Sequence, residues 1–287
     1  MAGRRAWQRF LRDPQAVLGL AGIGGIGLLA ATAHLLYPDG PWKMVAAPML
    51  PPLSPGFPLG TDILGRDVAA QVAYGAAVSL LVGIVSTMVT LLLGIALGAV
   101  AGYLGGHADD AIMRLTEFVQ TIPSFVLAVV LVALFRPSVL MVIVAISVVS
   151  WPPVVRLVRG EFLSLRSREF VQAAIVIGQR RATIIFRQIL PNALPPVIAL
   201  ATLMVASAVL LESALSFLGL GDPNVISWGY MISNGRTVMH DAWWVSIVPG
   251  ILLFTTVLAI NLLGEALSAA LDPRTRQRGP DMRTGSA

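Results

Sequence analysis

Six long apolar runs constrain this chain more than any other feature of its sequence. A transmembrane helix needs about 20 mostly apolar residues, because the hydrocarbon core of a bilayer is about 30 Å thick. The runs cover residues 17–36, 78–103, 122–135, 138–155, 194–218 and 244–269. Only 12% of the residues are charged, against about 25% in soluble domains. The sequence therefore predicts an all-α membrane protein with six transmembrane helices.

Two of these runs, the third and the first, differ from a simple transmembrane helix. The third is short, and we expect it to extend backward through residues 111–120, with Pro123 kinking the helix. Only Arg136 and Pro137 separate it from the fourth run, so these two helices are expected to be antiparallel neighbours. The first run follows several arginines and contains Ala31-Thr32-Ala33, a pattern that also fits a cleaved signal peptide. Because apolar sequence continues beyond this site, we expect the first helix to be retained.

Basic residues predict the orientation and the organisation. They lie at the ends of the apolar runs, which indicates membrane topology rather than nucleic-acid binding. With both termini in the cytoplasm, sixteen of them fall inside and only Lys43, Arg66, Arg136 and Arg236 fall outside. The predicted parts are a cytoplasmic N-terminus (1–16), a first helix (17–36), an external segment (37–77), a transmembrane core (78–271) whose cytoplasmic loop covers residues 159–192, and a cytoplasmic tail (272–287).

Several kinds of chemistry have no residues to carry them. The chain has no cysteine, and its three histidines are far apart, so we predict no catalytic residue and no metal site. Its only lysine, Lys43, follows Trp42 rather than a glycine, which excludes the P-loop pattern of an ATPase. Acidic residues within the apolar runs are few, Glu212 and Glu265 among them, which is a thin basis for a proton relay. The chain is therefore expected to depend on a partner for energy.

The long cytoplasmic loop carries the most informative pattern, from Arg166 to Pro195. Phe170, Ala173, Ala174 and Ile177 recur at the spacing of one helix face. Gly178 can turn the chain, and an amphipathic segment then leads to Pro191, where we expect the second helix to end. The pattern predicts a helix, a turn and a second helix that project into the cytoplasm. A basic amphipathic helix lying on the lipid surface is the alternative.

This loop resembles the EAA loop of binding-protein-dependent ABC importer permeases. The family pattern is Glu-Ala-Ala, three residues, Gly, and later an apolar residue followed by Leu-Pro; here Gln172 replaces the glutamate and Gln188 replaces the usual isoleucine. The resemblance implies a coupling helix that docks on a separate ATP-hydrolysing subunit. The residues that match the motif or adjoin it are Gln172, Ala173, Ala174, Gly178, Arg180, Leu190 and Pro191.

Further motifs narrow the resemblance to the "C"-type permeases of dipeptide, oligopeptide and nickel ABC importers. They are Pro58-Leu59-Gly60-Thr61-Asp62, Leu64-Gly65-Arg66-Asp67, Ser216-Phe217-Leu218-Gly219-Leu220-Gly221, Ser227-Trp228-Gly229, Asn261-Leu262-Leu263-Gly264-Glu265 and Leu271-Asp272-Pro273-Arg274. The resemblance implies a type I importer bundle in the bacterial cytoplasmic (inner) membrane. It implies a second permease as partner, giving a heterodimer with a homodimer as the alternative, together with two ATP-binding subunits and an external substrate-binding protein. ATP and magnesium would be held by the partner subunits, and this chain would hold no cofactor and catalyse no covalent step.

The leading functional expectation is import of di- or oligopeptides. The alternatives are import of nickel, a metal chelate or an opine-type substrate by the same fold, and a stand-alone ion-coupled carrier or channel. Glu212 is the candidate residue of the translocation path, where it can contact a peptide amino group, and a structural role such as pairing across the permease interface is the alternative. The candidate residues for docking an external binding protein are Asp62, Arg66, Asp67 and Trp228. For Asp62, Arg66 and Asp67 the alternative is that they belong to a folded loop that braces the second span. Trp228, Trp243 and Trp244 also fit an aromatic belt, and Ser124, Met204, Ser207 and Ser213 lie at pore depth but are expected to be packing residues.

Overall fold

The protein is described by a computed structural model that covers Phe10 and residues 13–271. Five of its helices are long and apolar enough to cross a membrane, and a bent pair of helices makes a sixth span. The prediction of six spans is confirmed, with the third one broken. The predicted tail (272–287) and most of the predicted N-terminal segment lie outside the described residues. The helices are α1 Pro14–Leu36, α2 Val68–Leu104, α3 Gly106–Thr121, α4 Ser124–Leu134, α5 Val139–Arg166, α6 Glu169–Val176, α7 Arg181–Phe217, α8 Trp228–Gly235 and α9 Trp244–Leu271.

The second helix is much longer than the apolar run that predicted it. It has 37 residues, which at about 1.5 Å per residue exceeds the thickness of a bilayer core. It begins at Val68, within the segment predicted to be external, because the Asp67 side chain accepts a hydrogen bond from the Ala69 N–H (2.8 Å) and caps the first turn. Its first turns are buried against external residues, so α2 anchors the external segment as well as spanning the membrane.

A stripe of glycines joins α2 to α5. Gly94 and Gly98 face Val154 and Val158, and a methyl group at Gly98 would lie 2.7 Å from the Val158 Cβ. Gly102 meets Phe162 one turn further along. Small residues at every fourth position let two helix backbones approach closely. Inside a bilayer there is no hydrophobic driving force between helices, and close packing of this kind holds them together instead. This pair of helices is the axis of the bundle.

The third span is broken rather than kinked. The helices α3 and α4 meet at an angle of 85°, which is far more than the kink that Pro123 predicted. Ile122 adopts an extended conformation (φ −91°, ψ 129°), because the ring of the following proline disfavours helical geometry at that residue. The short connection after α4 ends at Ser138, whose hydroxyl accepts a hydrogen bond from the Met141 N–H (3.2 Å) and starts α5.

The prediction that a helix ends at Pro191 is wrong. The helix α7 runs through this residue and continues to Phe217. Residues Ile184–Ile189 are wound as a π-helix, in which carbonyls bond five residues onward rather than four. The wider turn accommodates the proline, whose missing N–H and ring would otherwise disrupt an α-helix. The Asn192 side chain donates to the Gln188 carbonyl (2.6 Å) and satisfies one backbone group in this region.

Among the buried clusters of the described residues, the three largest follow one another along the bundle. By the predicted orientation, the external cluster includes Val72, Trp228 and Trp244. A middle cluster packs α4 against α2, α5 and α7. The cytoplasmic cluster joins Phe162 of α5 to Val171 of α6. The cytoplasmic loop is therefore part of the folded core rather than a separate appendage.

Candidate functional site

The cytoplasmic loop forms a helical hairpin, here called the cytoplasmic hairpin, made of α6, the turn at Gly178 and α7 as far as Leu190. Two hydrogen bonds hold its base: Gln172 Nε2 donates to the Arg166 carbonyl (2.9 Å), and the Arg166 guanidinium donates through Nη1 to the Tyr103 carbonyl (2.9 Å). The Arg166 guanidinium also lies over the Tyr103 ring, 5.7 Å from its centroid. Gln172, the residue that replaces the family's glutamate, therefore fastens the hairpin to α5.

The turn of the hairpin is a Schellman motif. The Gly178 N–H donates to the Ile175 carbonyl and the Gln179 N–H to the Ala174 carbonyl, both at 3.0 Å. Gly178 has φ +75°, a left-handed conformation that costs a residue with a Cβ roughly 1–2 kcal/mol. Together these bonds satisfy the carbonyls that the end of α6 leaves free. Gly178 is therefore required for the conformation of the turn, as its position in the sequence predicted.

The hairpin has a buried face and an exposed apolar face, and the structure divides the predicted face between them. Ala174 points inward with Val171 and packs in the cytoplasmic cluster. Phe170, Ala173 and Ile177 remain exposed, and Ile177 is 72% exposed. Other exposed apolar residues of the hairpin are Ile175, Val176 and Phe186. A soluble surface rarely leaves such a patch uncovered, and a patch of this kind marks a contact with a protein partner or with the lipid surface.

The remaining predicted coupling residues flank this surface. Arg180 precedes the first turn of α7 in an extended conformation and is exposed. Leu190 follows the π-helical segment, where its N–H donates to the Ile185 carbonyl. Pro191 is exposed on the same helix. The predicted coupling residues thus lie in one hairpin, but on different faces of it.

A cavity of about 520 Å³ lies where the broken span faces α5 and α7. Its polar side chains are Gln120, Ser124, Ser150 and Ser207, and Pro123 and Pro153 line it as well. None of the described residues that line it is charged. Ser124 and Ser207 are exposed at membrane depth. The Ser207 hydroxyl donates to the Leu203 carbonyl of its own helix (3.0 Å), and a polar surface of this kind at membrane depth suits contact with water or another protein.

Sequence reasoning placed Ser124, Met204 and Ser207 at pore depth but treated them as packing residues. The structure brings all three to the cavity. A signal that points toward the cavity is the occurrence of prolines inside apolar runs: Pro123 and Pro153 line the cavity, whereas Pro195, Pro196 and Pro249, which also lie in such runs, do not. A proline opens the hydrogen bonding of a helix, and in membranes such irregular backbone occurs where protein or water covers it.

Glu212 lies in a cage of serine hydroxyls rather than among the polar side chains of the large cavity. It is 2% exposed. Its carboxylate accepts hydrogen bonds from Ser216 Oγ (2.7 Å), Ser79 Oγ (3.1 Å) and Ser213 Oγ (3.3 Å). The Ser79 oxygen in turn accepts from the Trp228 N–H (3.4 Å). The cage therefore ties α7 to α2 and to the start of α8.

The predicted docking residues of the external segment are held in internal contacts. Asp62 is buried and accepts hydrogen bonds from the N–H groups of Leu64 and Arg66 (2.8 Å each) and from Gln71 Nε2 (2.7 Å). The Arg66 guanidinium lies over the Trp42 ring, 4.9 Å from its centroid. Burial raises the pKa of the Asp67 carboxyl above its ordinary value, and hydrogen bonds from the start of α2 act against this rise. These contacts favour the alternative of a folded loop that braces α2.

Two tryptophans that fitted an aromatic belt are core residues instead. Trp228 is fully buried, and its indole N–H donates to the Val72 carbonyl (3.2 Å). Trp244 is also buried and donates to the Thr61 carbonyl (3.1 Å). Only Trp243 of the three is half exposed. The belt prediction is wrong for Trp228 and Trp244, and the Trp228 side chain is not available to a docking partner.

Asp222 fastens the outer loop to the start of α5. One of its oxygens accepts from the Val139 N–H (3.2 Å) and the other from the Asn224 N–H (2.9 Å). Burial acts to raise the pKa of the Asp222 carboxyl, but the hydrogen bonds from Asn224 and Val139 outweigh it and hold this pKa below its ordinary value. The carboxylate form is thereby favoured where it caps the helix.

Comparisons with known proteins agree with this architecture. Residues 94–277 match the family described as "Binding-protein-dependent transport system inner membrane component", and residues 2–55 match the N-terminal transmembrane domain of oligopeptide transport permease C. The chain is 44% identical to a probable peptide ABC transporter permease of Sinorhizobium fredii, over 93% of this chain and 91% of that protein. It is 40% identical to the oligopeptide transport system permease protein OppC of Escherichia coli K12, over 96% and 93%.

Two further similarities extend the comparison. The di/tripeptide transport system permease protein DppC of Pseudomonas aeruginosa is 38% identical, over 94% of this chain and 91% of that protein. Among solved structures, an inward-facing conformation of the MetNI methionine ABC transporter aligns with a TM-score of 0.59 at 19% identity, covering 70% of this chain and 96% of that one. The structural similarity concerns the fold.

Proposed function

The chain belongs to the binding-protein-dependent transport system inner membrane components and is a multi-pass protein of the bacterial inner membrane; from this premise we propose that it is the permease subunit of an ATP-driven peptide importer. In this proposal it forms one wall of the translocation path and a second permease forms the other. It takes its energy from two separate ATP-binding subunits, which hold ATP and magnesium, and it catalyses no covalent step itself.

The observation that carries this proposal is the uncharged polar cavity on an exposed side of the chain. Its hydroxyls and its amide can exchange hydrogen bonds with a peptide backbone. Because no described lining residue is charged, the wall does not discriminate strongly between acidic and basic side chains. Covering it with a second permease would remove these polar groups from lipid and leave a path between the two subunits.

The cytoplasmic hairpin supports the energy-coupling part of the proposal. Its exposed apolar residues, such as Phe170 and Ile177, form a compact surface suited to a groove on an ATP-binding subunit. Gln172, Arg166 and the buried Ala174 hold that surface to α5 and α7. A partner that closes on ATP can shift the permease only if it binds one of its conformations more tightly, and a firmly held hairpin transmits that preference.

The substrate class rests on the relatives. The three curated proteins described above are named for peptide, oligopeptide and di/tripeptide transport, and we extend that class to this chain. An external binding protein would deliver the peptide. Nickel, metal-chelate and opine-type substrates are the competing outcomes of the test. Family membership speaks against a stand-alone carrier or channel.

The test is reconstitution of this chain with its second permease, its ATP-binding subunits and a binding protein in proteoliposomes. We expect peptide-loaded binding protein to stimulate both ATP hydrolysis and peptide uptake, whereas unloaded binding protein should not. Stimulation by nickel or a chelate instead of peptide would overturn the substrate class and keep the importer. Uptake by this chain without ATP-binding subunits would overturn the importer itself.

A further inference from the structure

One ion pair joins the helix that carries the cytoplasmic hairpin to the helix that borders the cavity. Arg159 of α5 and Asp109 of α3 make a two-pronged contact, with one guanidinium N–H donating to a carboxylate oxygen at 2.6 Å and the Nε–H donating to the other oxygen. The Asp109 side chain is 15% exposed and that of Arg159 is 32% exposed. Two parallel hydrogen bonds fix direction as well as distance, so this pair constrains the relative positions of the two helices.

The helix α3 has a joint at each end. At its start, Gly105 and Gly106 both have positive φ (70° and 55°), a conformation that few other residues adopt. At its end, the break at Ile122 and Pro123 turns the chain by 85° into α4. A helix between two such joints can tilt as a rigid unit, because the change in backbone angles is confined to a few residues.

Packing between these joints is loose. Thr116 is the single residue of α3 that is fully buried, and Phe118 is 69% exposed. The ion pair is therefore the strongest polar tie between α3 and the rest of the described structure. The far end of the same helix supplies Val119 and Gln120 to the cavity wall, opposite Val149 and Pro153 of α5.

We propose that α3 is a gate of the translocation path and that Asp109 and Arg159 are positioning residues that make this gate follow the cytoplasmic hairpin. A displacement of the hairpin moves the cytoplasmic end of α5, and the ion pair pulls the start of α3 with it. Because α3 pivots at both ends, the movement appears at Val119, Gln120 and Pro123 as widening or narrowing of the cavity. This inference rests on the proposed function, since it needs nucleotide-driven movement of the hairpin.

The absence of cysteine from the chain allows a single engineered reporter. Ser207→Cys places one thiol on the cavity wall, and a membrane-impermeant maleimide then measures its accessibility in inside-out vesicles that contain the complete transporter. In the otherwise unchanged chain, we expect labelling to differ between ADP and ATP with vanadate. In Asp109→Asn or Arg159→Gln, we expect that difference to shrink about tenfold, as for a lost population shift, while ATP hydrolysis continues.

Two further variants complete the test. Glu117→Gln removes an exposed charge from the same helix, about two turns from Asp109, and should leave the labelling difference intact. The exchange of Asp109→Arg with Arg159→Asp re-forms the ion pair with its charges reversed and should restore part of the difference. If labelling depends on nucleotide in both single variants as it does in the unchanged chain, the ion pair does not couple α3 to the hairpin. If labelling of the Ser207→Cys thiol does not change with nucleotide in the otherwise unchanged chain, both the assignment of the cavity to the translocation path and this inference are wrong.

Discussion

At the scale of single residues, Glu212 shows how burial and hydrogen bonding decide a role that hydropathy leaves open. An acid inside an apolar run predicts a polar environment, and the serine cage is such an environment. Which environment it is depends on the faces that α2 and α7 turn toward each other. The spacing of Ser79 and Glu212 in the sequence contains no information about that contact, so the pattern favours a structural role without identifying its partners.

Replacing Glu212 tests its role directly. We expect Glu212→Ala to reduce the free energy of unfolding by about 1–3 kcal/mol, because the cage hydroxyls lose their acceptor in a buried site. Glu212→Gln keeps one acceptor oxygen and should cost less. Thermal unfolding of the purified complex in detergent measures both variants. Glu265→Ala, at an exposed acid of α9, is the matched control.

A different pattern would assign Glu212 to transport. If Glu212→Gln unfolded at the temperature of the unchanged protein and yet lost peptide uptake, the carboxylate would act on the substrate and the structural interpretation would fail.

At the scale of elements, the cytoplasmic hairpin was predictable in outline and not in detail. Periodicity located α6, and Gly178 located its turn. The end of the second helix was misplaced because a proline rule assumes α-helical bonding, whereas the π-helical turn before Pro191 changes that bonding. Periodicity also could not predict that the face would be divided. It places Phe170 and Ala174 on one side of the helix but does not indicate which of them the rest of the chain covers.

The turn at Gly178 leads to a prediction about coupling. Gly178→Pro removes the N–H that bonds Ile175 and requires φ near −65°, against the observed +75°. We expect the hairpin to lose its shape, so that ATP hydrolysis persists but peptide uptake per ATP falls at least several-fold. The control is Gly40→Ala. Gly40 also has positive φ but lies in the external segment, so this variant strains the backbone without changing the hairpin. Normal uptake by a correctly inserted Gly178→Pro chain would contradict the prediction.

The glycine stripe leads to a prediction about assembly. We expect Gly98→Leu to prevent close packing of α2 on α5, because even a methyl group there would meet the Val158 Cβ at 2.7 Å, and overpacking costs about 1–3 kcal/mol or more. The amount of folded protein extracted from membranes measures the effect. Gly25→Leu, at a position on α1 where an added Cβ meets nothing within 4 Å, should be extracted at the level of the unchanged protein.

At the scale of the whole molecule, hydropathy predicts how many helices cross the membrane and not which side of the bundle faces a partner. Two helices, α5 and α6, separate Ser124 from Ser207 in the sequence, and nothing in their spacing indicates that they share a cavity. The break after Ile122 brings them together, and its angle depends on packing rather than on the proline alone.

Filling the cavity tests the assignment of this face. We expect Ser207→Trp to abolish peptide uptake by occupying part of the 520 Å³ space, while ATP hydrolysis by the assembled complex is retained. The comparison variant is Thr255→Trp, at an exposed position of α9 outside the residues that line the cavity. Equal uptake by the two variants would remove this cavity from the path.

The continuous course of α7 has a consequence for the electrical integrity of the cell. A single helix runs from the tip of the cytoplasmic hairpin, past the cavity wall at Met204 and Ser207, to the serine cage at Glu212. When such a helix tilts about a point between its ends, the two ends move in opposite directions, so opening on one side of the membrane favours sealing on the other. Such reciprocity would limit the escape of protons and ions during each cycle, and a bacterium could import large solutes without discharging its membrane potential.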